Sequence, residues 1–227
     1  AHARVKMLRL DRAKKQPGVI AVFNGQEIAA YCTPWVGVLG HLKGIKSAPQ
    51  HAVAIDRVCW QGEAVAAVVA ESRRQAEDAL EYIEVEWEIL PVVSDMRQAL
   101  EAKTVIHPEL GDNICFHREL KTEGFDAAWA AADVVVEKTY RFGRHTGVCN
   151  EPRAILADYN PADHSLTVYH ATQAPNMMQD IFSRHLDIPE SNIRLICKDV
   201  GGSFGIKVHV YADEMATAAL SVMLRRP

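Results

Sequence analysis

The stretch Gly201-Gly202-Ser203-Phe204-Gly205 joins a predicted strand, Ile193 to Cys197, to a predicted helix that runs from near Ala212 to Arg225. Glycines permit positive φ and let backbone N–H groups approach a ligand with no Cβ in the way. Amides gathered at such a turn suit an anion or an oxo group. The loop matches neither the phosphate-loop pattern nor G-x-G-x-x-G. By itself it is equally consistent with a structural turn.

Gln173 is the second candidate, because it lies at a junction between two predicted elements. It follows a predicted strand, Leu166 to Ala171, and precedes Pro175, which suits the first turn of a helix to about Leu186. Its side-chain amide carries N–H donors that fit an oxo ligand. The other interpretation is a polar residue that closes a strand. Lys207 is also open to two interpretations, a partner for a phosphate or a solvated lysine.

The first half of the chain predicts a mixed α/β unit over residues 1–95. Apolar runs predict buried strands at Gly18 to Phe23 and at Glu63 to Ala70. Ser72, with Gln75 three residues later, begins a helix. The alternation from Ile83 to Ile89 then predicts a half-exposed strand.

Residues 96–117 show little periodicity and are interpreted as a connector, with a domain boundary there. Residues 118–227 again predict an α/β unit. Its further elements are a helix at Phe125 to Ala132, a strand at Val134 to Phe142, and a strand at Ala154 to Tyr159 that turns into the strand at Leu166 to Ala171.

Composition excludes several classes of protein. The 227 residues are 48% hydrophobic and 24% charged, and the net charge of −4 gives no basic surface for nucleic acid or an anionic membrane. No apolar run is long enough to span a bilayer. Five separated cysteines include no C-x-x-C pair, which argues against a disulfide framework, a zinc site or an iron–sulfur cluster and favours free thiols in the cytoplasm. The opening at Ala1 and the ending at Pro227 predict a piece of a longer polypeptide.

Three segments in fixed order carry a resemblance to a known family: Thr172-Gln173-Ala174-Pro175, Ile188-Pro189-Glu190-Ser191-Asn192-Ile193-Arg194 and Gly201-Gly202-Ser203-Phe204-Gly205. They are similar, without a gap, to the T-Q segment, the P-x-x-x-I-R strand and the G-G-x-F-G loop of the molybdenum hydroxylases. That family comprises xanthine dehydrogenase, aldehyde oxidase and aerobic carbon monoxide dehydrogenase. Further similar segments are Glu151-Pro152-Arg153-Ala154 and, in the family's hammerhead domain, Ala1-His2-Ala3, Gln16-Pro17-Gly18-Val19 and Gly62 to Val68.

The resemblance implies an α/β fold with an α/β-hammerhead domain over 1–95 and the truncated start of a molybdopterin-binding domain over 118–227. It implies that Gln173 donates a hydrogen bond to the apical oxo group of the molybdenum. Phe204 and the glycines around it would present backbone groups to the metal and the pterin. The implied cofactor-binding residues are Gln173, Gly201, Gly202, Ser203, Phe204 and Gly205, of which Gln173 and Phe204 lie next to the metal.

The implied activity is oxidation or hydroxylation of a small substrate with water as the oxygen source. Electrons would leave through iron–sulfur clusters and FAD on other domains or subunits, and a homo-oligomer is possible. The family's general-base Glu is expected beyond residue 227, so no catalytic residue is assigned within the chain and Glu151 and Glu214 are not given that role. Purine-oxidising members carry Glu where this chain has Val208, which disfavours xanthine. Aldehydes, N-heterocycles and carbon monoxide stay open, as does copper.

Other residues receive ordinary structural interpretations. Glu214 is expected to be solvated or salt-bridged, and His145 and His170 to be surface or core histidines. The four tryptophans are expected in the core; they are Trp35, Trp60, Trp87 and Trp129. Two other functions remain as hypotheses: a naturally split subunit that acts as an assembly module, and a nucleotide-binding protein that uses the loop for phosphate. The molybdenum cofactor itself is expected to be absent from the isolated chain, which should be inactive.

Overall fold

Three small sheets organise the computed structural model, which describes residues 2–37 and 41–227. Ala1 of the opening Ala1-His2-Ala3 motif lies outside the described residues. The strands are β1 (Ala3–Arg9), β2 (Val19–Asn24), β3 (Arg57–Val58), β4 (Ala66–Ala70), β5 (Glu84–Ile89), β6 (Ile155–Asn160), β7 (Ser165–His170) and β8 (Ile193–Ile196). The α-helices are α1 (Gly25–Ala29), α2 (Arg73–Leu80), α3 (Met96–Leu100), α4 (Phe125–Ala130), α5 (Pro175–Leu186) and α6 (Ala212–Leu224).

The first two sheets belong to the first half of the chain. Strand β1 lies between β3 and β5 and is antiparallel to both, while β2 pairs antiparallel with β4. The predicted strands in this half are confirmed, although β4 begins only at Ala66. The predicted helix start is confirmed as well, because the Ser72 hydroxyl caps α2 by accepting from the backbone N–H of Gln75 at 3.3 Å.

The third sheet belongs to the second half and sets up the candidate site. The predicted strands β6 and β7 are joined by a turn and pair antiparallel, and β7 pairs with β8 in parallel. Helix α5 connects β7 to β8, as a parallel connection requires. Pro175 begins this helix as predicted, since its missing N–H would have no intrahelical partner there. The sequence between β8 and α6 contains the glycine loop.

The largest core cluster joins the two halves. The fully buried side chains of Leu166, Val168 and Phe182 pack between the third sheet, α5 and α6. Ile28 and Trp35 from the first half complete the same cluster. Full burial of side chains of this size stabilises a fold by roughly 1.5–3 kcal/mol each. The segment that follows β2 therefore packs on the second half of the chain.

Several predictions in the less regular regions are wrong. The predicted strand at Val134 to Phe142 does not form, because no neighbouring strand in the described chain supplies hydrogen bonds to it, and Val136 and Phe142 are each 83% exposed. Residues 96–117, interpreted as a connector, include the short helix α3, and the domain boundary placed there stays a prediction. Only Trp35 is a core tryptophan; the exposed ones are Trp60, Trp87 and Trp129.

Candidate functional site

The glycine loop presents its backbone at an open surface. Gly202 and Gly205 have φ of 96° and 90°, values at which a Cβ is strained. Phe204 has φ of 52° and is 79% exposed. A left-handed backbone at a non-glycine residue costs free energy, and so does an aromatic ring exposed to solvent. Such strain is typical of a loop that is shaped for a ligand.

Gln173 lies directly against this loop. The Ser203 hydroxyl donates a hydrogen bond to the Gln173 Oε1 atom, and the Gln173 backbone N–H donates to the Lys207 carbonyl at 3.1 Å. Within residues 2–37 and 41–227 no acceptor engages the Gln173 Nε2 donors, and the side chain is exposed. The contact with Ser203 therefore orients the amide and leaves its two N–H donors available to a ligand.

The parallel pairing of β7 and β8 explains why these two segments meet. Gln173 follows β7 and the glycine loop follows β8, so both leave the sheet at the carboxyl edge. Ligands of open α/β sheets bind outside this edge. Thr172, which is 2% exposed, fastens the junction: its hydroxyl donates to the Lys207 carbonyl at 3.0 Å and accepts from the Ala174 N–H at 3.1 Å.

Lys207 does not fit either of its predicted roles. It is 3% exposed, and its ammonium pairs with the Glu151 carboxylate at 2.5 Å. It is therefore neither solvated nor directed at a phosphate. The Lys207 ammonium and the Gly201 N–H together hold the pKa of Glu151 below its ordinary value.

A second ionic group, at the start of α6, was not predicted in detail. Glu214 was expected to be either solvated or salt-bridged. It is salt-bridged, and at 3% exposure it is not solvated. Its carboxylate accepts from Arg153 at 2.7 Å and contacts His170 Nε2 at 3.1 Å. Arg153 also pairs with Asp213 at 2.7 Å and stacks on Tyr211. Burial acts to lower the pKa of Arg153, but its hydrogen bonds to the two carboxylates outweigh burial and raise it.

No sequence spacing connects Arg153 with Glu214, which are 61 positions apart. The available signal was an Asp-Glu pair at the start of an otherwise apolar helix, where carboxylates favour the helix N-terminus. His170 is the core histidine that was expected, at 4% exposure, whereas His145 is exposed and packs edge-on against Phe142. Val208 follows the loop and is partly exposed.

An α/β chain whose parallel strands end at a strained glycine loop has the architecture of a cofactor-binding protein. A family model described as the molybdopterin cofactor-binding domain matches residues 106–227. A second, described as the aldehyde oxidase and xanthine dehydrogenase a/b hammerhead domain, matches residues 1–91. The chain belongs to the molybdopterin cofactor-binding domain family, with an aldehyde oxidase and xanthine dehydrogenase hammerhead domain before it. The predicted fold class and family are confirmed.

Individual relatives agree with this assignment. The chain is 33% identical over 227 residues to the nicotine 6-hydroxylase large subunit of Paenarthrobacter nicotinovorans, covering 100% of this chain and 28% of that protein. It is 31% identical over 242 residues to the carbon monoxide dehydrogenase large chain of Hydrogenophaga pseudoflava, covering 100% and 29%. It superposes on quinoline 2-oxidoreductase from Pseudomonas putida 86 with a TM-score of 0.89 at 31% identity, covering 99% and 28%. The chain thus spans less than a third of the length of each.

Two features are absent from the described residues. None of the helices formed by residues 2–37 and 41–227 has both the length and the apolar character needed to cross a bilayer. The same residues contain no group of three or more His, Cys, Asp or Glu side chains placed to hold a metal ion.

Proposed function

We propose that this chain supplies part of a molybdopterin pocket in an oxidoreductase that oxidises or hydroxylates a small substrate. The observation that carries the proposal is the Gln173 amide, which Ser203 fixes beside a loop with two glycines at positive φ. This arrangement offers neutral N–H donors to an oxo-bearing group. The division into 1–95, 96–117 and 118–227 remains part of the proposal.

The donors fit the chemistry of the group. Gln173 would donate from Nε2, and the backbone of Ser203, Phe204 and Gly205 would contact the metal centre and the pterin. The N–H groups of Gly201 and Gly202 are already bonded to the Glu151 carboxylate and the Val200 carbonyl, so these glycines would shape the loop. When bound, the molybdenum cofactor supplies two-electron oxidation of a substrate carbon with water as the oxygen source. The role of the chain is to bind and orient that group, since the general base is expected outside the matched part of the relatives.

The substrate class and the partners follow from the relatives. Proteins named for hydroxylation of nicotine, oxidation of quinoline and dehydrogenation of carbon monoxide share this portion of chain. The apolar side chain of Val208 cannot make the polar contact that a purine needs, so a less polar N-heterocycle, an aldehyde or carbon monoxide is proposed. Relatives named as a large subunit and as a complex subunit support the presence of partner subunits, to which we assign the iron–sulfur clusters and FAD.

Molybdenum and pterin analysis, with a dye-reduction assay, tests the proposal on the product of the complete reading frame. We expect stoichiometric cofactor and turnover there, and neither in the isolated 227 residues. Gln173→Ala should lower kcat by about a hundredfold, the effect of removing one preorganised donor. Gln26→Ala, at an exposed position on α1, is the matched control. Full activity in Gln173→Ala would contradict the proposed role.

An assembly module is the second candidate, favoured by the exposed apolar residues of the segment 134–148. Val134, Tyr140 and Val148 are 78%, 82% and 85% exposed, and large exposed apolar side chains gathered in one segment favour an interaction surface. An assembly module would bind its partner subunits while the assembled complex carried no molybdenum on this chain. The metal analysis above therefore separates the two candidates.

A further inference from the structure

Lys207 connects the glycine loop to the strand end that holds Gln173. Its carbonyl accepts from the Gln173 N–H at 3.1 Å and from the Thr172 hydroxyl at 3.0 Å. Its own N–H donates to the Ser203 Oγ at 3.3 Å, and the same hydroxyl bonds the Gln173 side chain. Lys207 thus contacts both the main chain of Gln173 and the residue that orients its amide.

Glu151 fastens the opposite end of the loop. One of its carboxylate oxygens, Oε2, accepts from the Gly201 N–H at 2.8 Å and from the Lys207 ammonium at 2.5 Å. The Glu151 N–H also donates to the Gly201 carbonyl at 3.4 Å. The packing is so close that a Cβ on Gly201 would lie 2.6 Å from the Glu151 Cβ. A single carboxylate therefore joins the first glycine of the loop to the residue that closes it.

We propose that the Glu151–Lys207 ion pair is a clamp that sets the position of Gln173 relative to the glycine loop. The proposal rests on the proposed function, because it assigns these two residues to positioning the cofactor donors and not to contacting the cofactor. The Lys207 side chain is 0% exposed, so its ammonium depends on Glu151 for compensation. Without that carboxylate the ammonium moves toward water and displaces the carbonyl that holds Gln173.

Amide hydrogen exchange of the 227-residue chain, followed by NMR, measures the clamp directly. Glu151→Gln and Lys207→Met should each accelerate exchange at Gly201 and Gln173 on the order of tenfold, the factor that one charge-assisted hydrogen bond contributes to local opening. The double variant should exchange no faster than either single variant, because both changes open the same clamp. The amide of Val168 in β7 reports global opening and should not change.

The titration of Glu151, followed through NMR shifts, distinguishes a positioning role of the ion pair from a general stabilising role. In the wild type, the Gly201 amide proton shift should follow the titration of Glu151, with a pKa below the ordinary range. Lys207→Met should move that titration to higher pH, and Glu151→Gln should abolish it. Lys121→Met removes a lysine from an exposed ion pair with Asp126 and is the matched control. It should leave both the exchange pattern and the titration unchanged.

These experiments test the clamp separately from the proposed cofactor-binding function. Unchanged exchange at Gly201 and Gln173, additive effects in the double variant, or equal acceleration at Val168 would overturn the clamp. These measurements need no cofactor, so they stand even if the complete protein proves to lack molybdenum. If it contains molybdopterin, Lys207→Met should lower the bound fraction while Lys121→Met leaves it unchanged. Full occupancy in Lys207→Met would show that the clamp does not act on the cofactor site.

Discussion

Glu214→Ala tests whether the ionic group at the start of α6 stabilises the fold. The carboxylate side chain is 4% exposed and lies between Arg153, at 2.7 Å, and His170, at 3.1 Å. Removing one partner of a buried ion pair costs about 3–5 kcal/mol. Arg153 keeps its contact with Asp213 at 2.7 Å, so its charge is not left alone. We therefore expect a loss near the lower limit, about 3 kcal/mol.

Part of this loss of stability comes from His170, whose imidazole loses a hydrogen-bond partner in Glu214→Ala. Its side chain is 2% exposed, and its Nδ1 has no hydrogen-bond partner in the described chain. In Glu214→Ala the imidazole loses its Nε2 partner too, and an unsatisfied buried polar group costs about 1–3 kcal/mol. Glu214→Gln keeps an acceptor for Arg153 and a polar partner for the imidazole, so it should cost less than Glu214→Ala.

Urea unfolding at pH 7 measures the effect, with Trp35 in the core as the fluorescence probe. For a slope of about 2 kcal/mol/M, the midpoint of Glu214→Ala should fall by about 1.5 M. The control is Glu77→Ala, which removes an exposed carboxylate paired with Arg73 and should leave the midpoint unchanged. Equal midpoints for the two variants would refute the reasoning, since burial of the Glu214 carboxylate would then have no energetic consequence.

Four further outcomes are expected. The pKa of Glu151 is lowered in the folded state, so Glu151 contributes stability that is present above its ordinary pKa of 4.5 and is lost as pH falls through the lower folded value. Glu151→Gln should therefore make the free energy of unfolding less dependent on pH in that range, as measured by acid unfolding curves. Burial raises the pKa of Cys32 to about 12, so a thiol reagent followed by peptide mass spectrometry should label exposed Cys115 in the native chain and Cys32 only after unfolding. Gly25→Ala should destabilise the chain by about 1–3 kcal/mol in thermal melts, because the new Cβ would lie 2.2 Å from the Ala54 carbonyl oxygen. Phe182→Ala should cost about 3–5 kcal/mol in the same melts, and a smaller loss would show that the core refills the site.

Local patterns predicted the regular elements because their causes lie within a few residues. Helix α5 begins at a proline that fits the first turn, and α2 begins at a serine that caps it. The meeting of Gln173 with the glycine loop also follows from sequence once β7 and β8 are parallel, because both segments then leave the same edge of the sheet.

Contacts between distant segments could not be predicted in this way. Lys207 looked solvated because nothing near it in sequence reveals a carboxylate 56 positions earlier. The segment Val134 to Phe142 alternates like a strand, yet a strand also needs a partner to bond with, and periodicity does not supply one. The prediction that Trp129 lies in the core was also wrong, because its sequence neighbours are apolar but its side chain is 51% exposed.

The charges around the site are arranged so that none of the identified donors is an ionised side chain. Lys207 is neutralised by Glu151, and Arg153 by Asp213 and Glu214. The donors identified beside Gln173 are backbone amides and its own neutral carboxamide. A phosphate-binding loop would direct its lysine at the ligand, and here the lysine is committed to holding the loop. The glycine loop therefore fits a ligand that is held by oriented amide dipoles better than a nucleotide that is held by a lysine. We expect that ATP or NAD does not raise the melting temperature of the chain.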